Sequence, residues 1–148
     1  MAEIVSGAKE LVAALKAKAA AVDDGVGRAV GIAALELEAT VKKQFTTSHP
    51  AGTPSPSSPG SPPSVVTGSL RRSYHTEGPI RLGFGRYEAM VGPSMVYARI
   101  QELGGDAGVN HSVHLPARPA LRPAWEEWRE RDVLWDRARE AVIEGLKA

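Results

Sequence analysis

The stretch GPIRLGFGRYEAMVGP, residues 78–93, decides the fold because it holds two short runs in which apolar and other residues alternate. The apolar positions are Ile80, Leu82 and Phe84 in the first run, and Tyr87, Ala89 and Val91 in the second. Alternation is the pattern of a strand that buries one face. The glycine-containing residues 83–86 can turn, and Gly92-Pro93 ends the second run. The stretch therefore predicts an antiparallel β-hairpin.

The residues before the hairpin predict helix. From about Glu3 to Ala21 alanine is frequent, and apolar residues recur at the spacing of one helical face. That face contains Ile4, Ala8, Leu11, Leu15 and Val22. A second helical pattern contains Val26, Val30, Ala33, Leu37, Val41 and Phe45. Between the two patterns lie Asp23, Asp24, Gly25 and Gly27, so one kinked helix and a pair of helices both remain open.

The residues after the hairpin predict two helices, separated by a loop and a short strand. A short helix is expected from about Met95 to Leu103, ended by Gly104-Gly105. A loop at 106–110 and a short strand at 111–115 should follow. The last helix is expected from about Pro123 to Leu146. Its apolar stripe contains Trp125, Trp128, Trp135, Ala138, Val142 and Leu146. Such a stripe is usually core, although exposed tryptophans also anchor partners.

These elements define an α+β fold, in which a small antiparallel sheet packs with long N-terminal and C-terminal helices. The length of 148 residues suits a single domain, 1–148. Residues 48–64, SHPAGTPSPSSPGSPPS, interrupt the pattern with proline, glycine and serine and cannot build a core. We expect there either a disordered surface loop or an extended arm that lies across a neighbouring subunit.

Composition excludes several classes of protein. The 18 Lys and Arg residues nearly balance 17 Asp and Glu residues, which argues against a protein that coats nucleic acid. The absence of cysteine excludes disulfides and thiolate zinc sites. No apolar run reaches the length of a membrane span, and the start is not typical of a signal peptide. We expect a protein that stays in the cytosol or leaves it within a larger assembly.

The chemistry-bearing side chains do not form a recognisable catalytic motif. His111 and His114 stand at i, i+3, which places them on opposite faces of a strand, and no carboxylate cluster adjoins them in sequence. Ser73, His75 and Glu77 have the residue types of an acyl-transfer triad but lack a nucleophile-elbow motif. We therefore predict that the chain is not an enzyme and has no catalytic, metal or cofactor site.

The middle of the chain is locally basic, with Arg71, Arg72, Arg81, Arg86 and Arg99. These side chains are either a solvated face with scattered ion pairs or a surface that meets DNA phosphates. The candidates for contact with DNA are Arg72, Arg81 and Arg86.

Three stretches, in order, carry a resemblance to a known family. They are TGSLRRSY at Thr67–Tyr74, VYARIQELGG at Val96–Gly105 and LPARPALRPAW at Leu115–Trp125. With the helices around them, these three blocks resemble the tail-completion, or neck, proteins of long-tailed bacteriophages. The proline-rich segment resembles versions found in phages of actinobacteria. The resemblance covers nearly the whole chain.

The family pattern matches particular residues here. The matches are Thr67, Gly68, Leu70 and Arg71 in the first block; Tyr97, Ala98, Glu102 and Gly104 in the second; and Pro116, Arg118, Pro119, Arg122, Pro123 and Ala124 in the third. The chain departs from the pattern at Ala120, where an aromatic residue is usual. If that aromatic fills a pocket in the family, another side chain such as Trp125 must fill it here.

The resemblance implies a structural virion protein at the head–tail junction, assembled in the host cytoplasm. It implies a homo-oligomeric ring, six-fold to match the tail tube, that joins the tail to the DNA-filled head. Its neighbours would be other connector proteins and the tail-terminator or tail-tube proteins, with passive contact to DNA in the lumen and no membrane.

Three other functions stay open from the sequence. The chain could be a tail terminator or a head-side connector, because function within such a junction does not follow from fold. It could be a small DNA-binding module, which predicts salt-dependent binding by the isolated protein. It could be a hydrolase, which predicts loss of activity on changing His75, His111 or His114.

Overall fold

The computed structural model describes residues 2–52 and 56–147, with side chains described from Gly7 onward. Thr53–Ser55 of the proline-rich segment, and the side chain of Ile4, lie outside the described residues. The chain is mixed helix and strand, 55% helical, and its described part holds two small antiparallel two-stranded sheets. This confirms the α+β prediction.

The helices and strands follow one another without a repeat. The helices are α1 (Ala2–Lys43), α2 (Ser69–Ser73), α3 (Ala98–Leu103), α4 (Leu121–Glu130) and α5 (Val133–Lys147). The strands are β1 (Tyr74–Gly83), β2 (Arg86–Pro93), β3 (Gly105–Ala107) and β4 (Val113–Leu115), and a 3₁₀ turn covers Val109–His111. The predicted hairpin is the pair β1–β2. None of the helices in the described ranges is long and apolar enough to cross a membrane.

The chain forms two compact units. The first contains the described residues of 1–33, 78–89 and 132–148, and the second contains those of 34–77 and 90–131. Helix α1 and both strands of the hairpin contribute to each unit.

Helix α1 is one helix of 42 residues, which decides between the two N-terminal alternatives. Gly25 and Gly27 allow close packing and do not end the helix. A Cβ at Gly27 would lie 2.7 Å from the Tyr87 ring, and one at Gly25 would lie 3.2 Å from the Cβ of Ala141. The missing side chains therefore let the hairpin and α5 approach the helix backbone.

A buried carboxylate holds the hairpin to α1 in the first unit. Asp23 accepts hydrogen bonds from Arg81 Nε at 2.9 Å, from the Gly85 N–H at 2.5 Å and from the Tyr87 hydroxyl at 3.3 Å. The Gly85 N–H, followed by the Arg81 guanidinium, holds the pKa of Asp23 below its usual value. The sequence left open whether Asp23 interrupts the helix. The ion pair with Arg81 explains why this aspartate is found inside α1.

The outer end of β1 corrects a prediction, because its residues from Glu77 to Leu82 are all exposed. The residues expected to be half-buried in the first run, Ile80, Leu82 and Phe84, are exposed. Arg81 turns toward α1 instead, because Asp23 offers its guanidinium a buried partner. In the second run Tyr87, Ala89 and Val91 are half-buried, as predicted.

The second unit has a core of alanine and a few large side chains. The large buried residues are Leu37, Val41, Phe45, Tyr74 and Trp128. The rings of Phe45 and Tyr74 lie 5.8 Å apart between centroids, and burial raises the pKa of the Tyr74 hydroxyl. Strands β3 and β4 pair with Gly105 opposite Leu115. The strand predicted at 111–115 thus begins at Val113. The loop predicted at 106–110 is partly strand, because Asp106 and Ala107 pair with residues of β4.

The predicted single C-terminal helix is wrong. It is two helices, α4 and α5, separated at Arg131 and Asp132, and Asp132 has φ 51°. The predicted tryptophan stripe is divided in the same way: Trp128 is buried in the second unit, whereas Trp135 is exposed on α5. Strong helical propensity on both sides hid the break from the sequence pattern.

The described part of the proline-rich segment is tied to its own chain in the second unit. The Val65 N–H donates to the Thr47 carbonyl at 2.7 Å, and the Gly60 N–H donates to the Ala117 carbonyl at 2.9 Å. Arg118 Nε donates to the Ser57 carbonyl at 2.9 Å. Contact of this segment with a neighbouring subunit stays a prediction.

Candidate functional site

The second and third sequence blocks meet at the start of α4. The Glu102 carboxylate accepts hydrogen bonds from the backbone N–H groups of Ala120, Leu121 and Arg122 at 2.8, 3.1 and 2.8 Å. These are N–H groups that a helix leaves without partners, and Ala120 at the N-cap position has no side-chain acceptor for them. The negative charge also suits the positive end of the helix dipole. Glu102 is therefore the N-terminal cap of α4, supplied from another helix.

A glycine lets these two blocks approach each other. Gly104 ends α3 with φ 71°, and a Cβ there would lie 2.8 Å from the Ala117 nitrogen and 2.9 Å from the Leu115 oxygen. Only glycine satisfies both the left-handed backbone and the close backbone approach. The Arg118 N–H donates to the Gln101 carbonyl at 2.6 Å beside this contact. The predicted C-cap is confirmed.

The first block forms the turn that begins α2. Gly68 has φ 74°, and a Cβ there would lie 2.8 Å from a guanidinium nitrogen of Arg72. The hydroxyls of Thr67 and Ser69 lie 2.8 Å apart, and the Ser69 N–H donates to the Thr67 hydroxyl oxygen at 3.3 Å. Local hydrogen bonds therefore hold this block in shape.

All three blocks contribute to one cleft of about 270 Å³ in the second unit. The lining residues from the blocks are Thr67, Gly68, Ser69, Leu70, Arg71, Tyr97, Gln101 and Arg118. Phe45 and Val65 are among the other residues of the wall. The Ser57 hydroxyl lies in the wall, is buried, and has no hydrogen-bond partner among the described residues. The cleft combines apolar surface with two arginines, of which Arg118 donates to the Ser57 carbonyl in the wall.

The other residues of the three blocks either pack within the fold or are exposed to solvent. Ala98 is buried in α3, Pro119 is half-buried, and Pro123 lies in the first turn of α4, as expected of a helix-starting proline. Arg122 is exposed, with Glu126 3.7 Å away. At the position where the family has an aromatic residue, Ala120 is itself buried, and the half-exposed Trp125 stacks on Trp128.

The arginines proposed to face DNA differ in their surroundings. Arg81 is 2.8 Å from Asp23, so its charge is already paired. Arg72 and Arg86 are exposed and belong to different units. Contact with DNA remains a prediction for these residues.

His75, His114 and Ser73 have local partners. The Ser73 hydroxyl donates to the Leu70 carbonyl at 2.7 Å, and not to His75. The Ser73 carbonyl and then Glu77 raise the pKa of His75. His114 pairs with Asp106 at 2.7 Å. In the described ranges, no three His, Asp or Glu side chains are placed to hold a metal ion.

Sequence reasoning missed Ser57 and Gln101 as cleft residues and Asp23 as an anchor. The position of the first two residues in the cleft depends on tertiary contacts that no sequence pattern predicts. Asp23 did carry a signal, because an aspartate inside a strong helical pattern needs a partner when it is buried.

No family model, curated protein or solved structure matches this chain.

Replacing Glu102 with alanine should lower the free energy of unfolding by about 2 kcal/mol, because three N–H groups at the start of α4 lose their acceptor. Urea denaturation followed by circular dichroism would measure this. Glu126→Ala on the same helix is the matched control, since its exposed ion pair should contribute under about 0.5 kcal/mol. Equal effects of the two substitutions would contradict the capping role.

Proposed function

We propose that this chain is a structural virion protein at the head–tail junction of a long-tailed bacteriophage, where it assembles as a ring. The observation that carries the proposal is the joining of the three family-like blocks in one unit. Glu102 of the second block caps the helix of the third, and residues of all three blocks line one cleft.

The distribution of apolar residues supports assembly with other chains. Among the large apolar residues exposed in the first unit are Leu11, Leu15, Ile80, Leu82, Phe84, Trp135 and Leu146. The buried residues of α1 in the same unit are mainly alanine and glycine. Side chains of this kind are available for burial against a partner. A ring buries such surface on every subunit.

The proposed ring would join the completed tail to the DNA-filled head. Its expected form is six-fold, with connector proteins on the head side and terminator or tail-tube proteins on the tail side. A contact between two different surfaces of the same subunit closes into a ring when the rotation between neighbours permits it. Repetition of a modest contact around the ring then raises the total affinity.

Deletion of the gene from the parent phage tests this function. Electron microscopy of lysates should show filled heads separate from finished tails, because the joining step is missing. Tails of uncontrolled length would favour the tail-terminator function instead. Intact infectious virions would overturn the assembly role.

A further inference from the structure

We propose that the cleft of the second unit binds a phosphate monoester carried on a small apolar or aromatic group. The cleft has a volume of about 270 Å³, close to the lower end of the range of small-molecule sites, which is roughly 300–1,000 Å³. The charges, the hydrogen-bonding groups and the apolar side chains of its wall all fit such a ligand. The proposed site is independent of the virion role, because its residues belong to the second unit of a single chain.

The charge of the cleft wall is positive. Arg71 and Arg118 line the cleft, and the described lining residues include no aspartate or glutamate. Arg71 is exposed, and its guanidinium has no hydrogen-bond or ion-pair partner among the described residues. Arg118 uses its Nε–H on the Ser57 carbonyl, and its two terminal nitrogens have no partner in the described part of the chain. Two guanidinium charges therefore border a cleft whose described wall supplies no anion to balance them.

The wall also has hydrogen-bond donors that the chain does not use. Several carbonyl oxygens of the wall already accept hydrogen bonds from the chain, among them those of Ser57, Val65, Gly68, Leu70 and Gln101. The hydroxyls of Thr67 and Ser69 share one hydrogen bond at 2.8 Å. Two hydroxyls carry two protons and this bond uses one, so the other can be donated to a ligand, whichever hydroxyl donates within the pair. A ligand that accepts several hydrogen bonds therefore fits this wall.

A phosphate monoester matches this wall better than a carboxylate does. At pH 7 the monoester carries a charge of about −1.5 to −2, which balances two guanidinium groups, and it has three strong acceptor oxygens. Guanidinium groups bind phosphate through pairs of parallel hydrogen bonds. A carboxylate has a single charge and would leave one arginine unbalanced. The same holds for one phosphate of a DNA backbone, which is a diester with a single charge.

The apolar part of the wall indicates what the phosphate is attached to. Phe45, Val65 and Leu70 contribute apolar side chains, and Tyr97, which is 45% exposed, contributes an aromatic ring. Small-molecule sites typically combine such apolar and aromatic surface with a few polar groups that fix the orientation of the ligand. A ring or a short alkyl group bonded to the phosphate would lie against these side chains.

Isothermal titration calorimetry of the full chain with phenyl phosphate, at low salt, tests the site. We expect one saturable site with a Kd below about 1 mM. Inorganic phosphate should bind more weakly because it has no ring, and benzyl alcohol should not bind measurably because it has no charge. Benzoate that binds as tightly as phenyl phosphate would overturn the assignment to a phosphate monoester. A lack of saturable binding by phenyl phosphate would overturn the site itself.

Two variants, Arg71→Gln and Tyr97→Ala, test the charged part and the apolar part of the site separately. Both side chains are exposed, so the circular dichroism spectrum and Tm of each variant should stay close to those of the wild type. Arg71→Gln should raise the Kd of phenyl phosphate at least about tenfold, because charge-assisted hydrogen bonds are lost. Tyr97→Ala should raise the same Kd about threefold or more and leave the Kd of inorganic phosphate unchanged.

Arg99→Gln is the matched control for the charge. It removes the same charge from an exposed position in the second unit that is not among the described lining residues of the cleft. The Kd of phenyl phosphate should then stay within about twofold of the wild-type value. Equal losses in Arg71→Gln and Arg99→Gln would show attraction by general surface charge and would overturn the site. Binding of a short DNA duplex that depends on Arg71, without binding of phenyl phosphate, would also overturn it and assign this arginine to a DNA surface.

Discussion

Replacing Trp128 with alanine is expected to lower the free energy of unfolding by about 3–5 kcal/mol, the largest effect of any single substitution considered. Trp128 is 6% exposed in the core of the second unit, and its ring stacks on Trp125 at 5.3 Å between centroids. Truncation to alanine removes the contacts of the whole indole and leaves a cavity. Urea denaturation followed by circular dichroism measures the change.

Two further substitutions separate the effect of burying an aromatic ring from the effect of burying the indole N–H. Trp128→Phe keeps a ring and removes an indole N–H that is buried without a hydrogen-bond partner among the described residues, so it should cost much less than alanine. Trp135→Ala removes an exposed ring and should change the stability of dilute protein by under about 0.5 kcal/mol. A loss at Trp135 as large as the loss at Trp128 would contradict the assignment of the core.

Replacing Gly145 with valine is expected to separate α5 from α1 and lower the free energy of unfolding by about 3 kcal/mol or more. A Cβ at Gly145 would lie 2.8 Å from both the nitrogen and the Cα of Val22. These are backbone atoms, so relief requires that a whole helix shifts. Gly145→Ala should already cost about 1–3 kcal/mol, despite the better helix propensity of alanine.

Gly7→Ala is the matched control for this substitution. Gly7 also lies inside a helix, and a Cβ there meets nothing within 4 Å. Alanine should therefore stabilise this position by about 0.5–1 kcal/mol through helix propensity alone. Thermal unfolding of the two alanine variants should move in opposite directions. Stabilisation by Gly145→Ala would show that the two helices are not in close backbone contact.

Local patterns in the sequence predicted most of the secondary structure. The alternating runs of residues 78–93 predicted the hairpin, and apolar spacing predicted α1, α3 and the helical C-terminal region. Gly104 as a helix end and Pro123 in a first helical turn were also predicted, because each depends on the conformational preference of one residue. The sequence did not predict the cleft; six residues that it singled out as matches to a family pattern are among those that line it.

The predictions that failed depended on long-range contacts. Alternation predicted that Ile80 and Leu82 are half-buried, but both are exposed, and this part of β1 contacts α1 through the ion pair of Arg81 with Asp23. The C-terminal pattern read as one helix, since no proline or glycine marks the break at Asp132. The hydrogen-bond partner of the Ser57 carbonyl, Arg118, lies many residues away along the chain. The same is true of the backbone N–H groups of residues 120–122 that donate to the Glu102 carboxylate.

The sequence by itself determined the class of fold, the position of the hairpin and the helical character of both ends, because each follows from interactions within a few residues. Only the tertiary structure decided which strand face is buried, that α1 is continuous, and that Glu102 caps α4. It also decided that Leu11, Leu15 and Trp135 are left bare. These outcomes depend on which surfaces meet, and a buried charge or a backbone contact across the chain outweighs local preference.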